Sequence, residues 1–162
     1  MQRAAYADPR FQSAETALDK LTAPLVADHR QCDRLFATAE DAAQRSDWAA
    51  CRAHFDAFRA AMLHHFKIEE NVLFPAFEQA TGMTMGPTAM MRSEHAQMRE
   101  LLNHMTAVIA AGRRDDYLGM SETLLLYMQQ HNLKEENVLY PMADQALAAS
   151  GIDLTQPVTA CE

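Results

Sequence analysis

Glycine, proline and cysteine are scarce in this chain, at five, six and three among 162 residues. So few turn-forming residues exclude a fold of many short strands and tight hairpins, which needs them at every corner. The cysteines, Cys32, Cys51 and Cys161, are odd in number and form no C-x-x-C pair. That argues against a disulfide framework and against a cysteine zinc site, and suits a reducing compartment. Basic residues are also in deficit, with 14 Lys and Arg against 22 Asp and Glu and a net charge of -8. They are scattered rather than gathered into a stripe, so neither nucleic acid nor anionic lipid is expected as a partner. No run of about eighteen apolar residues occurs, and the opening segment MQRAAYADPRFQSAET has no apolar core of a signal peptide. The expectation is a cytoplasmic protein with no membrane span.

What the chain has in quantity is Ala, Leu, Met, Glu and Gln, the composition of long helices. At 162 residues and 49% apolar it can bury a core of its own as a single all-α domain.

An internal repeat organises it. HFKIEENVLFP, residues 65–75, matches HNLKEENVLYP, residues 131–141, at seven of eleven positions and an offset of 66. The same offset carries Asp28, His29, Gln31 and Leu35 onto Glu94, His95, Gln97 and Leu101 without a gap. Two similar halves of two helices each are implied. Inward stripes at steps of three and four support this. Leu25, His29, Cys32, Phe36, Ala39 and Ala43 define a first helix, and Met91, His95, Met98, Leu102, Met105 and Ile109 a third. Phe58, Met62, His65, Glu69, Val72 and Ala76 define a second, answered by Leu124, Met128, His131, Glu135, Val138 and Met142 in a fourth.

Thr22 with Pro24 reads as a helix start, Ser46 as a cap, and residues 81–87 as the loop between halves. Gly112 and the following RRDD separate the third and fourth helices. Pro75 and Pro141 lie inside helical patterns and predict a bend or break at each. Residues 1–21 read as an N-terminal arm, 22–149 as the bundle and 150–162 as a C-terminal tail.

Cys32 aside, the polar residues in these stripes are His29, His65, Glu69, His95, His131 and Glu135. An inward ionisable group costs several kcal/mol unless it is paired, protonated or bound to a metal. His65 with Glu69, and His131 with Glu135, stand four residues apart, so imidazole and carboxylate share a helix face. His29 and His95 occupy equivalent places on the other two helices, and a closed bundle brings all six to one level. Imidazole suits iron, copper, zinc or nickel, and carboxylates can bridge two cations, so four His and two Glu fit a dinuclear site, with iron preferred. A single zinc would leave two of the six groups without a role. The alternative without metal is a buried, hydrogen-bonded His/Glu network.

Other polar residues fit less well. Glu70 and Glu136 turn about 100° from the ligand face, toward solvent or toward hydrogen bonds with a ligand from outside. Asp33 stands one turn after His29, but its counterpart in the repeat is Arg99. His54 is about 16 Å from His65 along the axis, too far to share a centre. His64 and His104 point elsewhere. Cys32 and the methionines Met90, Met91, Met98 and Met105 read as core filling.

The doubled H...H-x-x-x-E-E...L-F/Y-P pattern resembles the hemerythrin-like (HHE) cation-binding family, bacterial type, over residues 22–147. The resemblance implies an up-down-up-down four-helix bundle holding two iron ions with an oxo or hydroxo bridge, carboxylate bridges from Glu69 and Glu135, and terminal histidines. Oxygen-carrying members have a further histidine at the place of Arg99. Its absence here implies a more open centre, like that of bacterial members linked to nitric oxide stress and iron-centre repair. The function so implied is binding of, or reaction with, a small diatomic, O2 or NO, or the sensing or donation of iron. A di-iron oxidoreductase and an iron-dependent sensor or interaction module are the alternatives. A redox partner or an iron-receiving protein would accompany these roles, and Mn or Zn could replace iron. Oligomeric state, and whether a substrate is turned over, are left open.

Overall fold

The computed structural model describes residues 9–151, with side chains from residue 21. Residues 1–8 of the expected arm and 152–162 of the expected tail lie outside the described residues, and residues 9–21 form the start of the first helix. The chain forms four helical rods. The first is α1, Pro9–Gln44, and the second joins α2, Trp48–Ile68, through a π-helical turn, Glu69–Leu73, to α3, Phe74–Thr81. The third is α4, Pro87–Ala110, and the fourth joins α5, Arg114–Lys134, through a second π turn, Glu135–Leu139, to α6, Tyr140–Ser150. This is the expected four-helix bundle, and no strand occurs among the described residues. No helix among them is long and apolar enough to cross a membrane.

Two boundaries differ from the sequence reading. Helix α1 runs through Pro24 instead of starting there, because Leu21, Leu25 and Val26 pack on the apolar cluster of the other rods on both sides of the proline. The cap of α2 is Asp47, whose carboxylate accepts from the Ala50 N–H at 3.1 Å, while Ser46 makes the turn at φ 58°. The loop between halves falls where expected, after Gly82 at φ 73° closes α3 in the left-handed conformation.

Neither Pro75 nor Pro141 breaks its rod. Each follows a π turn, and widening that turn moves aside the carbonyl against which a proline ring would clash, so the helix continues. The extra residue shifts the inward stripe by one. Val72 and Ala76 are only half-buried, whereas Leu73 and Phe77 are fully inside. In the fourth rod Val138 is 49% exposed and Leu139 only 1%. Regular periodicity holds up to the two glutamates and slips immediately after them.

The core has two apolar parts. One gathers Cys32, Phe36, Phe55, Phe58, Met98, Leu102 and Leu124, and the other Leu25, Leu73, Phe74, Phe77, Met91, Tyr140 and Leu147. His29, between Leu25 and Cys32, and His95, between Met91 and Met98, mark a polar layer between them. Two staples repeat at the 66-residue offset: Thr22 donates to Asp144 and Thr88 to Glu78.

Candidate metal centre

All six expected residues meet in that layer. His29 comes from α1, His65 from α2, His95 from α4 and His131 from α5, and Glu69 and Glu135 each open a π turn. None is more than 4% exposed. The histidines form two facing pairs, with His29 Nε2 3.0 Å from His65 Nε2 and His95 Nε2 3.1 Å from His131 Nε2. The carboxylates span the pairs. Glu135 places Oε2 3.2 Å from His29 and Oε1 3.1 Å from His131, and Glu69 Oε2 lies 3.4 Å from His65 and 3.3 Å from His95. Two overlapping clusters result: His29, His65 and Glu135, and Glu69, His95, His131 and Glu135, each with its ligand atoms within 4.8 Å of one another.

A second layer of carboxylates faces the outer ring nitrogens. Glu136 lies 2.8 Å from His29 Nδ1, Glu70 2.8 Å from His95 Nδ1, Glu94 2.9 Å from His131 Nδ1, and Asp28 3.6 Å from His65 Nδ1. An Nδ1–H held by a carboxylate leaves the Nε2 lone pair pointing inward, the tautomer a metal-binding imidazole requires. Glu70 and Glu136 thus have the outside role allowed for them. Arg99, at the place of the carrier histidine, turns away from the centre to bind Glu70 through both guanidinium nitrogens and lies over the Phe66 ring.

This arrangement fits a pair of cations. Two neutral imidazole lone pairs about 3 Å apart repel unless positive charge lies between them. Glu69 Oε2 and Glu135 Oε1 are buried without a hydrogen-bond partner, although imidazole nitrogens lie close by. Positive charge satisfies all of these groups at once.

The local field favours it. Burial alone would lower the His65 pKa, but Glu69, Asp28 and Glu135 overcome it and raise it to about 9. His131 moves the same way, burial being outweighed by Glu135 and Glu94. Glu135 is held well below the usual carboxylate range, burial being outweighed by His131 and His29. In metal-free protein His65 and His131 then carry protons where a metal would sit. The contribution of His65 to stability is complete below the ordinary histidine value of about 6.5 and is lost as pH rises through about 9, and that of His131 runs in the same direction. The melting temperature of chelated protein is therefore expected to fall between these pH values, while that of metal-loaded protein holds, because the cation replaces the protons. Parallel profiles for the two forms would contradict this.

Sequence reasoning missed Tyr140. Its hydroxyl donates to Glu69 Oε1 at 2.7 Å and lies 3.3 Å from both Glu135 Oε2 and His29 Nε2. Burial and the two glutamates raise its pKa well above the ordinary range, so it stays a neutral phenol in the metal-free site. The one signal was the F/Y alternation before the repeated prolines: the counterpart of Tyr140 is Phe74, whose ring stacks on His95 at 5.8 Å.

The remaining candidates stay outside. His64 and His104 are exposed, His54 is half-buried, and none of the three belongs to either cluster. Cys32 is a buried free thiol whose pKa is pushed up to about 12 by burial and by Asp28 and Asp33, so it is no ready thiolate ligand. Met91, Met98 and Met105 are core, and Met90 is 52% exposed. A cavity of about 120 Å³ between α4 and α5, lined by Glu94, Met98, Tyr127 and Lys134, reaches the carboxylate that holds His131.

The profile of the Hemerythrin HHE cation binding domain matches residues 20–143. The chain is 35% identical over 98 residues to the iron-sulfur cluster repair protein YtfE of Edwardsiella ictaluri, covering 54% of this chain and 44% of that protein. It is 34% identical over 97 residues to its namesake from an Enterobacter species, and 36% identical over 97 to that of Escherichia coli O1:K1, each covering 51% of this chain and 44% of the relative. The chain thus spans less than half the length of these relatives. No solved structure gave a significant match.

Proposed function

We propose, on the premise that this chain belongs to the hemerythrin HHE cation-binding family, that it is a non-haem di-iron protein serving the repair of iron centres under stress. His29 and His65 would hold one iron and His95 and His131 the other, with Glu69 and Glu135 within reach of both pairs. The observation that carries the reading is the pair of facing imidazoles on each side of two buried carboxylates that reach both pairs. Iron bound there supplies one-electron redox chemistry and open coordination positions for a diatomic, O2 or NO.

The chain's own residues set the conditions. Phe66 and Phe74 cover His95 with stacked rings at 3.9 and 5.8 Å and keep water from that side. Tyr140 brings a phenol to the centre, its hydroxyl oxygen 2.7 Å from Glu69 Oε1 and donating its proton to it. Glu136, Glu70 and Glu94 fix the tautomers of His29, His95 and His131. The names of the relatives, iron-sulfur cluster repair proteins, support a role in cluster repair, and the form of it proposed for this chain is iron donation to a damaged cluster protein in the cytoplasm. The test is anaerobic incubation of iron-loaded chain with a nitric-oxide-damaged [4Fe–4S] protein: recovery of the cluster signal with loss of iron from this chain is expected, and iron retention with no recovery would refute it.

Arg99, tied to Glu70 instead of entering the centre, also favours a second reading, a di-iron reductase or oxidase. Steady consumption of nitric oxide or O2 with an electron donor would establish it.

A further inference from the structure

The repeat places equivalent residues around the two metal positions, and three of the equivalent pairs differ in ways that all favour one position. Around His29 and His65 the outer carboxylates are Glu136 and Asp28, and Asp33 stands one turn after His29. Among the described residues none of these three has a Lys or Arg within ion-pair distance, Arg34 acting on Asp33 only from farther off. Around His95 and His131 the outer carboxylates are Glu70 and Glu94, and each is tied to a cation, Arg99 and Lys134 respectively. Arg99 stands at the repeat position of Asp33, and Lys134 at that of Ile68. In the third pair, the Tyr140 hydroxyl lies 3.3 Å from His29 Nε2, where the second position has only the ring of Phe74.

From this asymmetry, and resting on the dinuclear reading above, we propose that the two positions bind unequally: the first cation enters between His29 and His65, and the ion between His95 and His131 is the weaker and exchangeable one. Two physical effects act together. Negative charge left unpaired near His29 and His65 attracts a cation, while Arg99 and Lys134 cancel it on the other side. Glu136, free of a competing cation and 2.8 Å from His29 Nδ1, also polarises that imidazole more strongly and makes its Nε2 a better donor. Tyr140 adds an oxygen on the same side. Glu94 and Lys134 line the cavity between α4 and α5, so the weaker position is also the one whose outer carboxylate meets that cavity.

The test is full-length chain stripped of metal and crystallised with one equivalent of Co(II), with anomalous scattering at the cobalt edge to assign the ion. Cobalt between His29 and His65, with little at the other position, is expected. Solution titration is expected to show two steps separated by about ten-fold or more in affinity. Asp33→Asn should weaken the first step and spare the second, and Lys134→Gln should strengthen the second; both side chains are at or near the surface, so the fold is retained. Equal occupancy, or cobalt first between His95 and His131, overturns the proposal while leaving the dinuclear reading intact. Saturation below two ions per chain overturns that reading and the proposal with it.

Discussion

Glu135→Ala is expected to take the metal content of protein purified without oxygen or chelator from about two ions per chain to below one. The loss follows from where the two oxygens sit. Oε2 faces His29 at 3.2 Å and Oε1 faces His131 at 3.1 Å, so one substitution removes an anionic donor from both positions. Four imidazoles remain, but they are neutral donors whose facing lone pairs then lack any buried counter-charge except Glu69. Glu69→Ala is expected to act similarly, since its Oε2 reaches His65 and His95. The exposed His104 supplies the control: His104→Ala should retain its metal. Full retention by Glu135→Ala in elemental analysis would remove the carboxylate from the site.

The second large effect concerns the π turn. Inserting an alanine after Val138, which is 49% exposed, adds a second extra residue to the turn Glu135–Leu139, which has already absorbed one. Everything after it then rotates by about 100°. Leu139, Tyr140, Ala143 and Leu147, all 1% exposed or less, leave the core. A loss of about 3 kcal/mol or more is expected, the scale of emptying one large core site, together with loss of the Tyr140 hydrogen bond to Glu69. Val138→Ala keeps the chain length and should cost little. Chemical denaturation of the two variants decides it, and equal stability would show that the π turn does not set the register of α6.

Those two regions also mark how far the sequence could be read. The stripes of α1 and α4 are buried as expected from Leu25 to Ala43 and from Met91 to Ile109, because regular α-helix preserves the three-four step over their length. The six site residues were legible for the same reason, helped by the repeat, which placed His29 and His95 in register with no local motif of their own. Past Glu69 and Glu135 the reading failed. A π turn changes the angle per residue, and nothing in a three-four pattern encodes it; the prolines at 75 and 141 signalled a disturbance but not its form. Tyr140 was lost to that change, since five residues after Glu135 it lies far around an α-helix and close to the same face after a π turn. The outer carboxylates were half legible. Glu70 and Glu136 were correctly directed outward, but each holds a histidine of the other half of the chain, and such pairing depends on how the rods pack rather than on local spacing.

Counting metal atoms per chain in protein purified anaerobically and without chelator tests the central claim most directly. About two irons per chain is the result this account predicts, one for each facing pair of histidines. No metal, or a single zinc, would contradict it and leave a buried His/Glu network whose geometry serves only the bundle.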